Sequence, residues 1–186
     1  MADNAGVDQS VPQGFDPKLI GLAQAGTDDL AAESGKMVQF VSFKVDDGEY
    51  GIDIMAVREI QGWVEVTKLP NTPEHVRGVL NLRGIIVPIF DLRCRFGNGL
   101  TEASALHVMI IVAVGHRIMG LLVDAVSDII TTNTDEIMQV PEVEARGDQK
   151  FITGLITVQD RMVALLEIEK LFDIDDLVAL VSKAAG

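Results

Sequence analysis

The stretch VRGVLNLRGIIVPIFDL (residues 76–92) lies without a gap over ITGLITVQDRMVALLEI (152–168). Gly78 falls over Gly154 and Val87 over Val163, and nearly every apolar position of one segment is apolar in the other. A second pair keeps the same order: YGIDIMAVREI (50–60) lies over MGLLVDAVSDI (119–129), sharing Gly, Ala, Val and Ile, with Glu59 opposite Asp128. Two ordered matches at similar spacing mark an internal duplication of one unit of roughly 65 residues. The first copy starts near Val38 and the second near Leu106.

The unit reads as β. VQFVSFKV (38–45) alternates as a strand buried mainly on one face, Asp46-Asp47-Gly48 supplies a tight turn, and EYGIDI (49–54) returns. LHVMIIVAV, RIMGLLV, FITGLITV and RMVALLEI repeat that texture. NTPEHVRG (71–78) offers a cap, an early proline and a terminal glycine, and predicts one helical turn. Five or six short strands cannot cover both faces of an open sheet but can close on themselves, which removes free edges. The expected fold is therefore mainly β, two small barrels packed together with a C-terminal helix. The expected divisions are an acidic disordered tail over 1–36, a first barrel over 37–104 braced by a helix over 168–184, and a second barrel over 105–167.

Composition removes several classes of function. The formal charge of −13 and the single Trp and single Tyr argue against nucleic acid, which calls for clustered cations and stacking aromatics. Cys94 is the one cysteine, so no intrachain disulfide forms and no thiolate metal cage exists. No stretch has the length and apolarity of a membrane helix, and the expected location is the cytoplasm. His75, His107 and His116 show no metal-ligand spacing. Arg93 and Arg95 flank Cys94 and could activate its thiol, but no base stands at readable spacing. No catalytic residue, cofactor or metal is expected.

Arg83 breaks the symmetry of the repeat. Asn81-Leu82-Arg83-Gly84 corresponds to Thr157-Val158-Gln159-Asp160, so both copies need a turn and one carries arginine. Arg77, Arg83, Arg93 and Arg95 concentrate positive charge in an acidic chain. A planar guanidinium suits paired hydrogen bonds to a partner's carboxylate.

In EYGIDIMAVREI, NTPEHVRGVLNLRGIIVPIFDLR, GLLVDAVSDII and TGLITVQDRMVALLEIEKLF, the chain resembles the CheW family of chemotaxis adaptors over residues 38–172. The resemblance implies two five-stranded SH3-like barrels with an apolar groove between them and no enzymatic activity. It implies two partners: the regulatory domain of a CheA-type histidine kinase and the coiled-coil tip of a chemoreceptor. A free monomer recruited to membrane-associated receptor arrays is the implied state. Val41, Ile54 and Val57 then fall on the kinase face. Arg83, Val108 and Ile129 fall at the receptor tip or its support, and Glu59 and Gly78 at coupling positions of unassigned partner. The alternatives are a CheW-like module of another two-component pathway and a nucleic-acid-binding SH3-like barrel.

Overall fold

The computed structural model describes residues 35–140 and 151–172. The chain runs β1 (Met37–Val45), β2 (Gly48–Asp53), β3 (Val57–Gly62), β4 (Val76–Leu82), β5 (Ile85–Asp91), α1 (Leu92–Arg95), β6 (Val108–Val114), β7 (Arg117–Val123), β8 (Ala125–Asn133), β9 (Ile152–Val158), β10 (Arg161–Leu166) and α2 (Ile168–Leu171). Single 3-10 turns lie at Ile54–Ala56 and Thr134–Glu136. The Val76 N–H bonds back to the Pro73 carbonyl, making a β-turn where the sequence predicted a helical turn, because Val76 is drawn into β4. The helix expected over 168–184 begins at Ile168, and its remainder lies outside the described residues, as do residues 1–34 of the expected tail.

Two five-stranded sheets form, in the orders β8-β1-β2-β10-β9 and β3-β6-β7-β5-β4. The strand pairing differs from the sequential division expected over 37–104 and 105–167. Each sheet combines the first two strands of one repeat with the last three of the other. Two parallel pairings make the exchange: β2 accepts β10, and β7 accepts β5. The chain crosses between sheets at Ile54–Ala56 and again at Asp124. Each repeat alone would leave β2 or β7 with an unpaired edge, and exchange satisfies both.

The duplication extends to details. Phe40 pairs with Asp53 as Met109 pairs with Leu122, and Leu165 pairs with Gly51 as Ile89 pairs with Gly120. A one-residue bulge at Arg58 is matched at Ser127, and one at Arg77 is matched at Thr153. Each sheet is closed by chain continuing from its first-named strand. Thr67 pairs with Val79 of β4 through hydrogen bonds of 2.9 and 2.8 Å, and Met138 pairs with Leu155 of β9 through bonds of 2.8 and 2.9 Å. Both closures explain the shared glycines. Gly78 sits at φ 141°, and a Cβ there would run into the Thr67 carbonyl; a Cβ on Gly154 would run into Ile137.

Each barrel has its own small core. Val87, Ile89, Met109, Ile111 and Leu122 fill one, and Ile130, Ile156, Val163 and Leu165 the other. The largest cluster joins them. Phe90 lies 4.3 Å from Phe172 between ring centres, and Phe96 stacks on Phe151 at 5.2 Å where the equivalent pair is Phe172 and His75. Asp91, fully buried at the start of α1, accepts the Thr101 N–H at 2.8 Å, the Thr101 hydroxyl at 2.7 Å and the Cys94 N–H at 3.2 Å. These bonds satisfy a carboxylate that would otherwise be costly to bury.

Candidate partner-binding surface

The β4–β5 hairpin turn is built alike in both halves. Arg83 and Gly84 take φ 53° and 90°, and Gln159 and Asp160 take 48° and 63°, the left-handed pair of a tight hairpin. In the first copy the Asn81 side chain accepts the Gly84 N–H at 2.8 Å. This turn leaves the Arg83 side chain 79% exposed, with one guanidinium nitrogen 3.2 Å from the Glu59 carboxylate on β3. Such a surface pair is worth about 0.5 kcal/mol and exchanges readily for another carboxylate.

The four clustered arginines do not form the continuous patch that their spacing suggested. Arg77 lies 3.6 Å from Asp91 and over the Trp63 ring, Arg93 pairs with Asp46, and the Arg95 Nε donates to the Leu171 carbonyl at 2.9 Å. Strand alternation and the α1 turn send them in separate directions. Nor do they activate Cys94: burial, Asp91 and Glu74 raise its thiol pKa, and Arg77 only partly offsets this.

Of the residues implied by the resemblance, Glu59 and Arg83 come into contact. Val108 begins β6, next to β3, where it pairs with Gly62 and packs half-buried against the central core. Ile129 lies on β8 of the other sheet, 54% exposed and opposite Val41 in register. Val41 itself is 2% exposed, so its side chain belongs to the core. Gly78 is buried at barrel closure, where its role is in the backbone. Ile54 and Val57 flank the crossing from β2 to β3, half-buried against the core.

Sequence reasoning missed the exposed apolar residues beside these positions. Met55 is 80% exposed between Ile54 and Val57, Ile60 follows Glu59, and Ile85 and Ile86 follow the Arg83 turn. Met55 and Ile85 carried a signal in the repeat, because Met55 stands over Asp124 and Ile85 over Arg161; Ile60 stands over Ile129 and Ile86 over Met162, so these two carried none. Apolar residues that a second copy replaces with charge are not demanded by the common fold.

The cleft between the barrels is largely closed by the aromatic cluster. A groove of about 420 Å³ stays open, floored by Phe40, Leu165 and Leu166 and flanked by Asp53, Glu167 and Glu169. That is about the volume of one helical turn. Among the described residues no group of His, Cys, Asp and Glu is placed to hold a metal ion, and no helix is long and apolar enough to cross a membrane.

Two interlocked barrels, a packed seam and a charged turn that the fold does not require define a two-barrel interaction domain. The chain belongs to the CheW family: the CheW-like domain model matches residues 39–176. It is 43% identical to a probable chemotaxis protein CheW of Rhizobium etli over 135 residues, covering 72% of this chain and 86% of that protein. It is 38% identical to the chemotaxis protein CheW of Klebsiella aerogenes over 163 residues, 87% of this chain and 98% of that one. A crystal structure of the scaffolding protein TtCheW from Thermoanaerobacter tengcongensis superposes with a TM-score of 0.69 at 35% identity, covering 76% of this chain and 96% of that one.

Proposed function

We propose that this protein is the non-catalytic chemotaxis scaffold that couples a CheA-type histidine kinase to chemoreceptors. The observation that carries the reading is the hairpin turn at Arg83. Gln159 and Asp160 make the same turn in the second copy, so the exposed guanidinium answers to something other than folding. The receptor's coiled-coil tip docks where Arg83, Glu59 and the exposed Ile60, Ile85 and Ile86 combine exchangeable charge with apolar anchors. Val108 supports that face from β6, the strand next to β3, and Ile129 adds an exposed apolar residue from β8 of the other sheet. The kinase's regulatory domain meets the β2–β3 crossing, where Met55 projects between Ile54 and Val57. Val41 holds that crossing from beneath through its pairing with Ile52. Among the described residues no helix is long and apolar enough to cross a membrane, and the protein reaches membrane-associated arrays through its partners. Only contacts that differ between the kinase's active and inactive states can shift their populations, so the scaffold acts by binding one state better.

Met55→Asp places a charge on the kinase face at an exposed side chain, without disturbing the core. In a pull-down, this variant is expected to lose the kinase regulatory domain by at least about tenfold while retaining receptor fragments, a loss of about 1.4 kcal/mol. Equal loss of both partners would contradict the assignment.

A further inference from the structure

The open groove has a twin elsewhere in the same molecule, and there it is filled. Phe40 and Leu165 of the groove correspond to Met109 and Ile89, and Glu167 corresponds to Asp91. Against Asp91 and the cluster that holds Met109 and Ile89 lies a piece of the chain's own linker between α1 and β6, neither helix nor strand over 99–104. Its Thr101, 2% exposed, donates both backbone N–H and hydroxyl to the Asp91 carboxylate. Two residues on, Ala103 packs against the cluster that contains Met109 and Ile89. The twin thus shows what the architecture accepts at this place: a non-helical segment with a hydroxyl residue and a small apolar residue two positions later.

The open groove keeps the floor and carboxylate of that seat but changes its charge. Leu122 of the twin is replaced by Asp53, and Arg93 by Glu169. Lysine and arginine are absent from its described lining. Glu167 makes no side-chain hydrogen bond to cap α2; it holds Lys170 in an ion pair at 2.7 Å, with both side chains partly exposed. That lysine is displaceable at little cost.

We propose that the groove between β1, β10 and α2 binds an extended segment of a partner protein. The segment carries Ser or Thr whose N–H and hydroxyl bond Glu167, a small apolar residue two positions on that seats over Phe40 and Leu165, and a basic side chain that meets Asp53 and Glu169. The groove holds no more than about one helical turn, which suits a short segment in place of a long helix. This site lies apart from Arg83, and it stands or falls independently of the receptor and kinase assignments.

The test uses the full chain alone, labelled with nitrogen-15, and an acetylated, amidated hexapeptide Leu-Thr-Lys-Ala-Ser-Ala, which is the chain's own residues 100–105 with lysine in place of Glu102. Amide shifts are expected to cluster at Phe40, Ala113, Val114 and Ile168. Glu167→Gln, or valine for threonine in the peptide, is expected to weaken binding about tenfold, as loss of a charge-assisted hydrogen bond does. No shifts at millimolar peptide, or shifts that Glu167→Gln leaves unchanged, would overturn the proposal. So would a groove already occupied in the free protein, seen either as contacts from residues beyond 172 or as concentration-dependent shifts from a second copy.

Discussion

Arg83 and Gln159 share a backbone conformation and differ in what they offer to solvent, which separates the requirement of the turn from that of the side chain. The duplicated sequence made this asymmetry legible. It could not show that Glu59 lies 3.2 Å away, because that contact depends on barrel closure bringing β3 beside the β4–β5 hairpin. Cys94 shows the opposite outcome. Its flanking arginines suggested an activated thiol, yet one is drawn to Asp46 and the other to the Leu171 carbonyl, and the half-buried sulfur faces Asp91 and Glu74 instead. Its pKa is raised, so the folded state favours the neutral thiol. The associated stability is fully present below the unfolded-state pKa of about 8.5 and declines as pH rises through that value toward the folded one. Alkylation by iodoacetamide at pH 7.5 is therefore expected to be slower in the folded protein than in the urea-unfolded chain. A faster rate in the folded protein would show that the arginines govern the thiol after all.

At the scale of elements, β1, β2, β6, β7, β9 and β10 were readable from alternation and turn residues, whereas β3 and β8 were not singled out as strands. Registers and bulges were not readable, since Arg58, Arg77, Ser127 and Thr153 carry no mark that distinguishes a bulged residue from a paired one. The shared glycines are the exception, being both visible in sequence and explained by geometry. Gly78→Ala sets a Cβ against the Thr67 carbonyl at a φ of 141° that L-residues avoid. It is expected to destabilise by about 2–4 kcal/mol, lowering the melting temperature by roughly 5–15 °C. Gly62→Ala, where a Cβ meets nothing within 4 Å, is the control and should change stability by less than about 1 kcal/mol. Equal effects in calorimetry would remove barrel closure as the reason for Gly78.

For the whole molecule, the sequence repeat suggested two barrels in series, whereas the strands exchange between halves. Sequence similarity records which segments share an ancestor, but the pairing of β2 with β10 and of β5 with β7 connects segments that no periodicity links. The aromatic seam then joins the barrels into one cooperative body, with Phe90 against Phe172 at its centre. Residues 1–104 and 105–186 produced separately are accordingly expected to lack native near-ultraviolet dichroism, and to recover it when co-expressed. Independent folding of either fragment would refute the exchange. The functional account rests on a fold that does not need Arg83 and an assembly that does. The direct measurement is kinase autophosphorylation on receptor-bearing vesicles with the wild-type protein or Arg83→Glu, alongside the melting temperature of each. The account predicts melting temperatures within about 2 °C and receptor control of the kinase that the variant loses; full control by Arg83→Glu, or a variant that fails to fold, would contradict it.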